Sequence, residues 1–194
     1  MIKDRAAEYW STRPPSTYNV CGTTFFRWSK PPHPFLKLNT DGSVIRNPRK
    51  TSAGGLFRDK WGNWVMGYTR KIGWSSILVV ELWSIRDGLK LAIDRNISHL
   101  IVESNSSTAI FLLSEDPSEF HPLSTLIFDC RDMLHQISHV KVVHMVWEAN
   151  MAANAMAKVG HNILENFVIF DYIPYSIKYA CIAEILGIEF PKTS

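Results

Sequence analysis

Leu36-Lys37-Leu38-Asn39-Thr40-Asp41-Gly42-Ser43 decides how the chain folds. Leu36 and Leu38 alternate with Lys37 and Asn39, the period of a half-buried strand, and Asp41-Gly42-Ser43 then breaks the pattern. Asp41 is therefore expected at a strand end, on the face shared by Lys37 and Asn39. Moving outward, Ala53 to Arg58 and Trp64 to Lys71 read as two further strands. The Asp59-Lys60-Trp61-Gly62-Asn63 between them suits a chain reversal. Three antiparallel strands in succession make a meander.

Beyond Gly73 the period becomes helical, with Leu78, Leu82, Ile85, Leu89 and Ala92 at spacings of three and four and Asn96 as a stop. His99 to Glu103 is a short β-branched strand, and Asn105-Ser106-Ser107 supplies caps for a helix from about Ser106 to Leu113. Asp116-Pro117 breaks the chain. A helix follows from about Pro122 to Gln136, then a strand from Val140 to Trp147, then a helix from Ala149 to Val159 that Gly160 ends. Single strands alternating with helices after a meander predict an α/β protein. Its mixed five-stranded sheet consists of the three-strand antiparallel meander plus two further strands, flanked by helices. Residues 1–34, with Pro14, Pro15, Pro31, Pro32 and Pro34, read as an extended lead-in with few backbone bonds of its own. Residues 35–161 form the domain, and 162–194 a C-terminal tail docking on it.

Composition narrows the function classes. The 194 residues are 46% hydrophobic and 20% charged, the balance of a globular chain. No apolar run reaches the roughly 20 residues of a membrane span, and the start lacks a signal peptide's apolar core, so an intracellular protein with no membrane partner is expected. Cys21, Cys130 and Cys181 are too scattered for a metal knuckle or a disulfide framework, and Cys130 is expected to be buried. His135 and His139 have the spacing of a helical metal pair, but no third ligand accompanies them.

The net charge of +3 does not by itself call for a polyanion. Its distribution is more telling. Arg46, Arg49, Lys50, Arg58, Lys60, Arg70 and Lys71 crowd the meander with Asp59 the only acid between them, and Trp61 and Trp64 lie among them. Cations interleaved with aromatics suit a nucleic-acid backbone. Strand faces open to solvent carry Lys and Arg for no other reason than solubility, and the pattern alone does not separate the two. Asn39 and Ser43, flanking Asp41, either donate to a nucleic-acid strand or satisfy the turn.

Asp41 ends the first strand, Glu81 opens the first long helix and Asn105 ends the fourth strand, so these positions can converge. A cluster of acids is costly unless metal ions sit between them, and hard oxygen ligands suit Mg²⁺. Alone, an acid at a strand end is a turn residue.

Several motifs in order carry a resemblance. Leu38 to Ser43, Ala53-Gly54-Gly55 with Arg58-Asp59 and Gly62-Asn63-Trp64, Glu81-Leu82-Trp83 with Gly88-Leu89, and Val102 to Ser106 resemble the plant ribonuclease H-like domain. That domain is typical of non-LTR retroelement reverse transcriptases. Trp147-Glu148-Ala149-Asn150 and Ala153 to Lys158 resemble its last strand and helix, and Ile169 to Pro191 its closing segment. The resemblance implies four carboxylates holding two Mg²⁺ ions that hydrolyse the RNA strand of an RNA/DNA hybrid. The matching positions are Asp41, Glu81, Asn105 and Asn154. The last two are Asn where the family has Asp, and Trp147 stands in place of an Arg.

Four carboxylates offer four negative charges to two divalent ions, and this set offers two. Glu103 shares the face of Asn105 but lies a two-residue step away, about 6.6 Å, too far to substitute. The expectation is a ribonuclease H-like protein that binds RNA/DNA hybrid or another nucleic acid through Asn39, Ser43, Arg46, Arg49, Lys50, Arg58 and Lys60, with impaired hydrolysis. The alternatives are an active hybrid ribonuclease in which Asn oxygens suffice, and a retroelement relic kept as a protein interaction module.

Overall fold

The computed structural model describes residues 16–20, 23–46, 49–115, 121–188 and 190–191. Strands β1 (Ser16–Val20) and β2 (Thr23–Arg27) come first. The meander follows as β3 (Leu36–Arg46), β4 (Arg49–Arg58) and β5 (Trp64–Gly73). Then come α1 (Ile77–Asp94), β6 (His99–Ser104), α2 (Ser107–Ser114), α3 (Ser124–Gln136), β7 (His139–His144), α4 (Met151–Val159), β8 (Phe167–Phe170), α5 (Tyr175–Ile185) and β9 (Phe190–Pro191).

The main sheet has the order β7-β6-β3-β4-β5-β8. β3, β4, β5 and β8 pair antiparallel, and β6 and β7 run parallel to β3. The mixed sheet with flanking helices is the one the periodicity predicts, with one strand more. Phe167-Val168-Ile169-Phe170 is a continuous apolar run without alternation, which periodicity does not distinguish from a packed tail, and it forms the β8 edge beside β5.

Helices cover both faces of the sheet. The stripe Leu82, Ile85, Leu89 and Ala92 of α1 buries against Leu38, Phe57 and Val102, with Ile127, Cys130 and Leu134 of α3 behind it. Ser76 caps α1 by accepting from Val79 N at 3.4 Å. On the opposite face, α4 and α5 close over Leu56 with Ala152, Ala153, Met156, Ile177 and Cys181. There α4 crosses β4 backbone to backbone: a Cβ at Gly54 would lie 2.5 Å from Ala157 N. The alanines of α4 and this glycine permit that approach.

The lead-in differs from its expectation. β1 and β2 form a hairpin that pairs with β9, so Ser16 to Arg27 does carry backbone bonds. Pro31, Pro32 and Pro34 lie beyond the β-prone stretch instead of interrupting it. Residues 1–15 with Pro14 and Pro15, Cys21, and the break at Asp116-Pro117 lie outside the described residues. Near the other end, β7 stops at His144, and Trp147–Ala149 is a 3₁₀ turn leading into α4. Among the described residues, no helix is long and apolar enough to cross a membrane.

Candidate active site

Asp41 does not end its strand. β3 continues through Gly42 and Ser43 to Arg46, because β4 pairs with it along its length and sets Asp41 opposite Gly54. Ser84 of α1 reaches into this part of the ladder. Its hydroxyl accepts from Asp41 N at 3.1 Å and donates to the Gly54 carbonyl at 2.8 Å, bridging the two strands where the carboxylate is mounted.

The structure brings the four positions near one another. Glu81 comes from the first turns of α1, Asn105 follows β6, and Asn154 stands on α4. Asn154 Nδ2 donates to Asp41 Oδ2 at 2.8 Å and Gly42 N donates to Oδ1 at 2.8 Å, with Glu81 and Asn105 close by. Despite these donors, burial pushes the Asp41 carboxyl up to about 6. Burial, and then the charge of Asp41, hold Glu81 well above the usual carboxylate range. Glu81 Oε2 is buried with no hydrogen-bond partner among the described residues. Two neighbouring buried carboxyls without a cation between them share a proton.

Asn39 and Arg58, expected at a nucleic acid, lie in the interior at 0% and 1% exposure. The physical cause is a sheet covered on both faces, so that the polar side of the strand alternation also points inward. Arg58 pairs with Glu184 of α5 at 2.6 Å, donates to Asn39 Oδ1 at 2.6 Å and stacks its guanidinium 3.6 Å from the Trp28 ring centroid. Asn39 in turn donates to Glu103 Oε2 at 2.8 Å, and Glu103 also binds Lys37 at 2.6 Å. Glu103 is thereby occupied away from Asp41.

Of the remaining cations, Arg46 and Lys50 are exposed at the β3–β4 turn, where Arg49 lies opposite Arg46 in the ladder; the Arg49 side chain lies outside the described residues. Lys71 is exposed close to the same end. Ser43 lies between this end and Asp41, with His161 Nε2 3.0 Å from its hydroxyl. Burial and then the charge of Lys50 lower the pKa of His161. Lys60 sits at the opposite turn with its ammonium 4.3 Å from the Trp61 ring centroid, and Arg70 is paired with Asp87. The cationic stretch is thus divided between two ends of the meander.

These residues do not fit a pair of divalent ions. The oxygen of Asp41 turned toward α4 is taken by the Asn154 amide, and only two of the four side chains carry a carboxylate. Among the described residues, no group of three or more His, Cys, Asp or Glu side chains is placed to hold a metal ion. Sequence reasoning missed Ser84, Asn150, Arg58 as an interior residue, and Glu184. Ser84 lies one helical turn beyond Glu81 on α1, and no sequence pattern marks it.

Residues 39–160 match the family described as reverse transcriptase-like. An Arabidopsis thaliana protein named as a ribonuclease H protein is 32% identical over 165 residues, covering 85% of this chain. The chain spans only 27% of that relative's length. Among solved structures, ribonuclease H1 from the halophilic archaeon Halobacterium salinarum superposes with a TM-score of 0.60 at 19% identity, covering 66% of this chain and 98% of that one. A compost-derived ribonuclease H1, solved in complex with an RNA/DNA hybrid, gives 0.58 at 18% identity, covering 66% of this chain and 96% of that one.

Proposed function

The chain belongs to the reverse transcriptase-like family and carries a ribonuclease H-like domain; on that premise we propose that it binds RNA/DNA hybrid and is impaired in hydrolysing it. The carrying observation is the 2.8 Å hydrogen bond from the Asn154 amide to Asp41 Oδ2. It puts a neutral donor where the family reaction, as the resemblance describes it, needs a charged ligand. Exposed Arg46, Lys50 and Lys71, with Arg49 beside them, form the cationic end that meets the phosphate backbone. Ser43 lies between them and Asp41, buried with its hydroxyl against His161 Nε2. Lys60 and Trp61 at the far turn provide a second contact, a cation beside an aromatic face. Asn39 and Arg58 take no direct part, since both are enclosed. Phosphate contacts make such binding strongest at low salt, and reversing the charges of Arg46, Arg49 and Lys50 lowers the salt slope of binding by roughly 3.

The test is cleavage and binding of a fluorescent hybrid, in Mg²⁺ and in Mn²⁺. It compares the natural chain with Asp41→Asn and with the Asn105→Asp, Asn154→Asp double variant. The expected result is binding by all three and cleavage by the double variant alone. Cleavage by the natural chain that Asp41→Asn abolishes would make it an active ribonuclease. Absence of binding at low salt would remove the hybrid as its partner.

A further inference from the structure

A chain of buried polar contacts runs from the C-terminal helix to Asp41, and each link fixes the next. Arg58 has donors only, and it sets one nitrogen 2.6 Å from Glu184 Oε2 and another 2.6 Å from Asn39 Oδ1. Trp28 Nε1, also a donor only, reaches the same Asn39 oxygen at 3.0 Å. With its oxygen so held, Asn39 turns Nδ2 toward Glu103 Oε2 at 2.8 Å and Asn150 Oδ1 at 3.3 Å. Asn150 therefore directs its own Nδ2 to the Thr40 carbonyl, which can only accept, at 2.8 Å, and to Asn105 Oδ1 at 3.4 Å. The Asn105 oxygen is thereby turned to Asn150. Asn154 brings its amide to the Asp41 carboxylate.

The orientation of Asn105 is thus set by groups with no choice of role. Rotating its amide by half a turn would put N–H groups of Asn105 and Asn150 against each other, and Asn150 is fully buried while Asn105 is half-buried, so the flipped state is disfavoured. A metal ligand must present oxygen, and this oxygen is turned to Asn150.

We propose that the relay through Arg58, Asn39 and Asn150 commits the Asn105 oxygen to Asn150, that the Asn154 amide occupies one carboxylate oxygen of Asp41 as a neutral donor, and that together they close the site to divalent cations. The inference rests on reading this site as a ribonuclease H-like centre and extends that reading. Two negative charges are absent and one amide donor points at Asp41, so a nucleic-acid phosphate approaches without an ion to screen it. Hybrid binding is then independent of divalent metal.

The experiment has three arms. Mn²⁺ is titrated into the natural chain and the Asn105→Asp, Asn154→Asp double variant, followed by electron paramagnetic resonance. The natural chain shows no saturable binding, and the double variant binds saturably as ligand charge is restored. Saturable Mn²⁺ binding by the natural chain that Asp41→Asn removes overturns the proposal, as does a double variant with no gain. Hybrid binding is measured by fluorescence anisotropy in EDTA and in Mg²⁺ at matched ionic strength, with equal affinity expected. Binding lost in EDTA overturns the proposal. Binding absent in both buffers overturns the hybrid reading and leaves the Mn²⁺ result to judge the amides. Finally, ¹⁵N spectra of Asn150→Ala report the lock: the Asn105 side-chain amide shifts if the relay holds it, and an unchanged signal overturns the relay.

Discussion

Asp41 is a carboxylate kept where the fold would rather have none. Its ordinary value of 3.8 rises to about 6 on burial, so between those values the folded chain binds a proton that the unfolded chain has released. Stability contributed by this group is present below about pH 4 and is lost as pH rises through about 6. Asp41→Asn removes the cost, so the variant is expected to be more stable than the natural chain at pH 7.5, by on the order of 2 kcal/mol. Urea unfolding at pH 7.5 and pH 4 checks it, since the gain should shrink at the lower pH. A residue that destabilises at working pH is one whose position serves something other than folding.

At the scale of elements, two contacts fix the carboxylate in place, and both lie on β4. Gly54 lets α4 lie against the strand, and a Cβ there would meet Ala157 N at 2.5 Å and the Met156 carbonyl carbon at 2.6 Å. Backbone cannot yield as a side-chain tip can, so Gly54→Ala is expected to cost about 1–3 kcal/mol and to move Asn154 away from Asp41. Thermal unfolding and the ¹⁵N signal of the Asn154 amide report the two effects separately. Ser84→Ala strips the bridge between Asp41 N and the Gly54 carbonyl and should cost about 1–3 kcal/mol, because both strand groups are then buried without it. Denaturant unfolding of that variant measures this cost.

Much of this architecture was legible. Alternation at Leu36 to Asn39 marked β3, element ends marked Asp41, Glu81 and Asn105 as positions able to converge, and the family resemblance added Asn154. Alternation does not say whether the polar side of a strand meets water or a second layer, and so Arg58 and Asn39 read as surface groups. Their partners Trp28 and Glu184 lie 11 and 126 positions away in sequence, beyond any local pattern. The break at Gly42-Ser43 misled for a related reason: pairing with β4 overrides the weak strand preference of a glycine.

For the whole molecule, the family match ends at residue 160, but the interior does not. Glu184 neutralises Arg58 and also accepts from Ala152 N at 2.9 Å at the start of α4, so one carboxylate of the closing segment holds two elements of the sheet-and-helix body. Ile177 and Cys181 of α5 complete the apolar layer over Leu56, Ala152 and Met156. Glu184→Ala leaves the buried guanidinium unpaired and should cost about 3–5 kcal/mol, the penalty of stranding a charge. Replacing both partners, Arg58→Met with Glu184→Leu, should recover much of that loss, because no charge is left behind. Ending the chain at residue 161 is the sterner case: it strands Arg58 and bares the α4 face together. We expect the shortened chain to lose cooperative thermal unfolding by circular dichroism. A sharp transition within a few degrees of the full chain would mean that residues 1–161 close a core without the C-terminal segment, and that the Arg58–Glu184 pair is dispensable to it.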